Sequence, residues 1–272
     1  MSTAAEIVQS AGTLVIAHRG ASDRAPENTL PAFAAALALG VDVVELDYRH
    51  SADGVPVVFH DELLDKTTDA CQRWGDRHHP IVDEPLADLA QLDAGSWFDP
   101  SFAGTRIPTL EQAVRLVCPK AILAIERKAG DAGTLLRLMH AQNALDRVVV
   151  MAFDWEFLAE CKRSAPALVT VALGDEEFGD ESLSRAASIG AAVVGWDKRL
   201  LGPDSRLLAA DAVAAAHRHG LRLWAWTVDD RREMRTLFAA SIDGLITNRA
   251  DLALEAREQA RGQGPAARDQ EI

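Results

Sequence analysis

Residues 13–47, TLVIAHRGASDRAPENTLPAFAAALALGVDVVELD, decide the fold. Thr13–Ala17 is a short apolar, β-branched run that stops at His18-Arg19-Gly20. Leu30–Leu39 is rich in alanine and leucine and ends at Gly40, which predicts a helix. Val41–Asp47 is a second apolar run rich in valine. Strand, helix and strand in so short a span read as a parallel βαβ unit.

The unit repeats. Further strands are predicted at Ala121–Glu126, Arg147–Phe153, Leu168–Leu173, Ala191–Gly195, Leu221–Thr227 and Gly244–Thr247, with helices at Leu110–Val117, Gly130–Gln142, Trp155–Arg163, Glu181–Ile189, Ser205–His219 and Asp230–Ala239. The strands are continuous apolar runs, as expected where both faces are covered. Eight strands with intervening helices in 272 residues read as an α/β fold, a closed (β/α)8 TIM barrel, with an open doubly wound sheet as the alternative. The rhythm breaks between Tyr48 and Pro108, where a hairpin (Ser51-Ala52-Asp53-Gly54 leading into Val55–Phe59) precedes a long polar stretch. Simple βα loops run about 2–6 residues, so residues 48–108 are expected to be an insertion subdomain between strand 2 and helix 2. It would sit over the C-terminal mouth, where barrels keep their active sites. One domain is expected over residues 1–256, followed by a polar tail, 257–272, expected to fray.

The formal charge of −13 argues against a nucleic-acid surface, which needs clustered Lys and Arg. A small anionic substrate stays open, because a local Arg, Lys and metal can dominate one pocket. No segment approaches the ~20 continuous apolar residues of a membrane span, and no signal-peptide pattern opens the sequence. A cytoplasmic protein without stable membrane association is therefore expected. Cys71, Cys118 and Cys161 are odd in number and widely spaced, fitting neither a disulfide framework nor a zinc cluster.

The residues that bear chemistry fall at strand ends. Glu45 and Asp47 are two apart, so both point to one face of their strand. Glu126 ends another strand. Oxygen donors on rigid elements suit one divalent cation, Mg²⁺ or Ca²⁺, better than zinc. His18 and His60 offer an acid and a base that titrate near neutral pH, and Asp61 is placed to orient His60 or cap a turn. Arg19 presents a planar fork to a phosphate, Gly20 lets the chain turn sharply, and Lys128 lies on the same strand face as Glu126. Trp224 is expected in the core and Trp226 in the pocket wall. Glu27 and Asn28 are candidates for supporting the site, with helix capping as the alternative. The pattern points to metal-assisted cleavage of a phosphodiester.

An ordered set of motifs resembles the glycerophosphodiester phosphodiesterase family: HRG at 18–20, PENT at 26–29, VELD at 44–47, DG at 53–54, VVFHD at 57–61, DKTT at 65–68, LDAGSWF at 92–98, IPTLE at 107–111, IERK at 125–128, FD at 153–154, WTV at 226–228 and DGLITN at 243–248. The resemblance implies a (β/α)8 barrel with the insertion after strand 2. It implies hydrolysis of a small-molecule phosphodiester, such as glycerophosphocholine or glycerophosphoethanolamine, to glycerol 3-phosphate and an alcohol. It further implies Glu45, Asp47 and Glu126 as metal ligands, His18 and His60 as the acid–base pair, Arg19 and Lys128 as phosphate contacts, and Trp226 as a pocket residue. Three departures stand out. Arg127 replaces an apolar residue and should face the helix layer. Asp229 stands where asparagine often follows the Trp-Thr-Val run, an exchange expected to be harmless. Residues 69–82, DACQRWGDRHHPIV, replace a short glycine-rich stretch, so alcohol-side specificity is not carried over.

Two rival readings are a lysophospholipase D-like activity flanked by Trp74, Trp97 and Phe98, and a catalytically silent barrel, which should have lost a histidine or carboxylate of the set. A sugar-phosphate isomerase would typically want glycine-rich loops after strands 7 and 8, and Thr247-Asn248-Arg249 offers none. The sequence leaves open the alcohol, the metal, which histidine is the base, attack by a glycerol hydroxyl or by water, and the oligomeric state.

Overall fold

A computed structural model describes residues 2–75, 78–201 and 209–262. Eight parallel strands form the barrel: β1 (Leu14–Ala17), β2 (Val43–His50), β4 (Ile122–Arg127), β5 (Val148–Ala152), β6 (Val169–Gly174), β7 (Val193–Asp197), β8 (Arg222–Trp226) and β9 (Gly244–Thr247); the short β3 (Pro56–Val58) lies outside it. The sheet closes because β1 pairs in parallel with both β2 and β9. The open-sheet alternative is thereby excluded.

Each barrel strand is followed by a helix: Leu30–Leu39, Leu110–Val117, Ala132–Ala141, Trp155–Ser164, Asp180–Ser188, Ala209–Arg218, Arg231–Ala239 and Ala250–Gly262. Local chemistry sets several starts. Thr29, Asp131, Asp154 and Asp230 accept hydrogen bonds from first-turn amides, and Thr109 forms a reciprocal capping box with Gln112. The start of the helix expected from Ser205 lies outside the described residues. So does the tail beyond 262. The expectation of a tail fraying from residue 257 is corrected: the last helix continues to Gly262, and Arg257 pairs with Asp42 and donates to Thr13 O.

Strand alternation sorts the apolar residues into two cores. Val15, Val44, Leu46, Leu123 and Ile125 face outward into the helix layer. Leu14, Ile16, Val43, Ile122, Ala124, Met151 and Val171 face inward and fill the barrel. Trp224 is fully buried among them. Its ring has room because Gly244 is its register partner on β9; a Cβ there would lie 2.3 Å from the indole. Among the elements that escaped sequence reading, with the helices Ala70–Trp74, Leu86–Leu89 and Ala250–Gly262, the helix Ala4–Val8 closes the bottom, its Ala4 and Val8 joining the interior cluster. Five residues show too little periodicity to betray a helix.

The insertion is not the polar stretch expected. It has its own core of Val57, Phe59, Leu64, Ile81, Leu89, Leu92 and Ile107. β3 folds back antiparallel on β2, pairing Val58 with Tyr48. Asp93 ties down the loop that follows, accepting from Gly95 N and Ser96 N (2.8 Å each), Ser96 Oγ (2.9 Å) and Gly104 N (2.6 Å). Burial would raise the Asp93 carboxyl, but these donors outweigh it and hold its pKa well below the carboxylate range.

Asp93→Asn is expected to cost about 1–2 kcal/mol of stability at pH 7, since each charge-assisted bond is worth more than its neutral counterpart. A carboxyl depressed in the folded state stabilises above its unfolded pKa of about 4 and loses that contribution as pH falls. Urea melts at pH 7 and pH 3 should therefore show a gap between wild type and variant that narrows at the acid pH.

Candidate active site

At the C-terminal end of the barrel the inward-facing rows change character. In β2 the row runs Val43, Glu45, Asp47; in β4 it runs Ile122, Ala124, Glu126. Apolar side chains fill the barrel and carboxylates end each row. Asp47 and Glu126 are register partners. One oxygen from each of Glu45, Asp47 and Glu126 lies within 4.8 Å of the others, and all three residues are buried.

Three buried carboxylates repel. Burial first, then Asp47 and Glu126, pushes Glu45 well above its ordinary pKa. Burial first, then Asp47, pushes Glu126 up to about 7. Burial would raise Asp47 too, but Arg19, Lys128 and both histidines overcome it and hold Asp47 low. Arg19 Nε lies 3.2 Å from Asp47 Oδ2 and Lys128 Nζ 3.4 Å from Oδ1; Lys128 also pairs closely with Glu126. Even so, Glu45 Oε1 and Asp47 Oδ1 are buried without accepting a hydrogen bond. An all-oxygen set with spare acceptor atoms and a surplus of negative charge fits a hard divalent cation.

Beyond β1 the chain turns at once. Arg19 (φ 57°) and Gly20 (φ 83°) are both left-handed, and a Cβ on Gly20 would lie 2.7 Å from the Ala32 backbone. Glycine is required there. Arg19 N donates to Glu45 Oε2 (2.7 Å) and Gly20 N to Glu45 O (3.2 Å), clamping the turn onto β2. Asn28, also left-handed at φ 57°, donates through Nδ2 to Asp47 Oδ2 (2.8 Å) and accepts from Asp47 N (3.1 Å). Glu27 Oε1 accepts from Arg19 Nη1 at 2.8 Å. Helix capping falls to Thr29, while Glu27 and Asn28 bond instead to Arg19 and Asp47.

The two histidines arrive by different routes. His18 follows β1, with Nδ1 2.7 Å from Asn248 Oδ1. Burial, then the neighbouring Arg19 charge, lowers its pKa to about 4, leaving the ring neutral at physiological pH. His60 is carried in by the insertion hairpin: Phe59 N donates to Asp47 O (3.0 Å) and Arg49 Nε to His60 O (2.8 Å). Its Nδ1 lies 2.6 Å from Asp61 Oδ1, so Asp61 orients the ring.

His18, Arg19, Glu45, His60, Glu126 and Lys128 form the polar wall of a cavity of about 120 Å³. Met151, Phe153, Leu173 and Trp226 form the apolar wall, with Phe153 set edge-on to Trp226 at 5.7 Å. Asp47, Glu27 and Asn28 lie behind that surface. Phe153 was given no role in the sequence reading; its signals were its place at the end of the predicted strand Arg147–Phe153 and in the FD motif at 153–154. A larger groove of about 580 Å³ adjoins at Phe153 and Leu173 and is rimmed by Asp175, Glu176 and Glu177. Trp74, Trp97 and Phe98 line neither cavity. His79 is buried in the insertion, while His217 and His219 pair with Asp243 and Asp180.

Arg127 faces the helix layer as expected, donating to Gly130 O (2.8 Å) and Asp154 (2.9 Å) and covering the Phe157 ring. Asp229, expected to be a harmless exchange, lies in a hydrogen-bonded cluster beside His18. Its carboxylate accepts from Thr247 Oγ1 (3.0 Å), Asn248 N (2.8 Å) and Asn248 Nδ2 (2.7 Å), one residue removed from His18.

Residues 18–252 match the model of the glycerophosphoryl diester phosphodiesterase family. A glycerophosphodiester phosphodiesterase of Caldanaerobacter subterraneus subsp. tengcongensis is 34% identical over 246 residues, 87% of this chain and 94% of that protein. Among solved structures, a glycerophosphodiester phosphodiesterase from Agrobacterium tumefaciens is 28% identical with a TM-score of 0.76, covering 89% of this chain and 99% of that one. A phosphodiesterase from Oleispira antarctica, solved with its product sn-glycerol-3-phosphate, is 25% identical with a TM-score of 0.81, covering 91% and 97%. Barrel, insertion, clustered carboxylates and family match agree, and the chain belongs to the glycerophosphoryl diester phosphodiesterase family of enzymes.

Proposed function

We propose that this enzyme hydrolyses glycerophosphodiesters, glycerophosphocholine and glycerophosphoethanolamine among them, to sn-glycerol 3-phosphate and the free alcohol, using two histidines and one divalent cation, Mg²⁺ or Ca²⁺. The observation that carries this reading is the shared cavity: His18 and His60 open onto the same small space as Glu45, Glu126, Arg19 and Lys128. The sn-glycerol-3-phosphate held by the Oleispira relative supports the product assignment.

Glu45, Asp47 and Glu126 would hold the cation, which when bound supplies positive charge to the phosphoryl oxygens as negative charge builds on them. Arg19 and Lys128, anchored on the same carboxylates, offer their remaining N–H groups to the phosphate. One histidine takes the proton of the attacking hydroxyl, from the glycerol or from water, as the new O–P bond forms. The other gives a proton to the alkoxide as its P–O bond breaks. Phe153 and Trp226 give the cavity one apolar side.

Purified enzyme treated with EDTA should release no glycerol 3-phosphate from glycerophosphocholine, and Mg²⁺ or Ca²⁺ added back should restore release. Persistent turnover in EDTA would end the metal assignment. His18→Ala and His60→Ala should each lower kcat by about 10²–10⁴ with the far-UV circular dichroism unchanged. Cation binding should also register without turnover, as a rise in Tm of the stripped protein equivalent to about 2.7 kcal/mol at 100 Kd. Glu45→Gln should abolish that rise while stabilising the stripped protein, because it removes one of three mutually repelling charges.

A further inference from the structure

Outside the residues already given roles, the densest polar contact around either histidine is Asp229–Asn248–His18. Asp229 Oδ1 accepts from the Asn248 backbone N–H and the Thr247 hydroxyl, and Oδ2 accepts from Asn248 Nδ2. A carboxylate is acceptor-only. The amide atom facing it must therefore be the NH₂ group, and the atom facing His18 must be the carbonyl oxygen. That oxygen lies 2.7 Å from His18 Nδ1, with Ser22 Oγ also 3.0 Å from it. A carbonyl oxygen accepts and cannot donate. His18 Nδ1 must then carry the proton, and in the neutral ring Nε2 is left with its lone pair.

We propose that Asp229 is a positioning residue: by locking the Asn248 side-chain amide in one orientation it fixes the Nδ1–H tautomer of His18 and leaves His18 Nε2 free to accept a proton. Nε2 is then the atom through which His18 can take the proton of the attacking hydroxyl as the O–P bond forms. With His18 in that role, His60 returns a proton to the departing alkoxide as the other P–O bond breaks, so the histidine pair is left with its protons exchanged. The fixed tautomer and the low pKa act together, since a neutral ring of the wrong tautomer would present an N–H to the nucleophile.

An asparagine at 229 cannot do the same. With its NH₂ toward Asn248 Nδ2, two donors meet, and the cheapest relief is for the Asn248 amide to rotate, which turns NH₂ toward His18 and reverses the tautomer. With its NH₂ toward the Asn248 backbone N–H, two donors meet again, and a backbone group cannot rotate away. Exchanging the two residues satisfies every contact. In Asp229→Asn/Asn248→Asp the carboxylate at 248 accepts from His18 Nδ1 and from the amide at 229, whose carbonyl takes the backbone N–H and the Thr247 hydroxyl.

The test is ¹⁵N NMR of the imidazoles in the full-length protein, with His18→Gln identifying the His18 signals, together with steady-state kinetics on glycerophosphocholine. Wild-type His18 should show a protonated, pyrrole-like Nδ1 and an unprotonated, pyridine-like Nε2. Asp229→Asn should reverse that pattern and lower kcat by roughly 10- to 100-fold, the range for losing a group that orients a histidine, with KM little changed. The double exchange should restore the wild-type pattern and most of the lost kcat. A protonated Nε2 in the wild type overturns the proposal, as does an Asp229→Asn variant with unaltered tautomer and kcat, or a double variant no better than the single one. The kinetic arm rests on the glycerophosphodiesterase reading. The NMR arm needs no substrate, so failure of one idea is distinguishable from failure of the other.

Discussion

Three carboxylates share one water-poor corner of the barrel, and the rest of the active site is arranged around the cost of keeping them there. A buried charge without a partner is far more expensive than a buried apolar side chain. The surroundings answer with two cations, backbone amides and an asparagine. Arg19 and Lys128 lean on Asp47. The 18–20 turn donates amides to Glu45, and Asn28 grips Asp47 from behind. Left-handed backbone at Arg19 and Asn28 is conformation these residues rarely adopt. It persists because the hydrogen bonds it permits offset more than the strain.

Much of this was legible in the chain. The strand-end positions of His18, Glu45, Asp47 and Glu126 followed from counting, because a period of two carries an apolar inward row straight into the carboxylates that end it. The barrel followed from the recurrence of apolar run and helix. His60 was legible as a residue but not as a location: nothing local says that the hairpin folds back on β2 and sets it beside Asp47. The insertion core was hidden for a similar reason, since Leu64, Ile81, Leu89 and Leu92 are scattered among polar residues and converge only in three dimensions.

Asp229 shows how little an analogy along the sequence says about a residue's partners. Asparagine and aspartate have nearly the same shape, so the exchange looks neutral along the sequence. They differ in whether the second terminal atom accepts or donates, and that matters only once the partner is known. The partner, Asn248, is 19 residues away, and the group it serves, His18, lies 230 residues before it. Such a chain of contacts leaves no periodicity and no composition to detect.

The plugged barrel has a consequence for traffic. Ala4 and Val8 stop its lower end and Trp224 fills its middle, so whatever enters by the rim near Phe153 leaves by the same rim. Alcohol and phosphate product share one exit with the incoming diester. Products must leave, and the next diester must enter, through the one open end of the barrel.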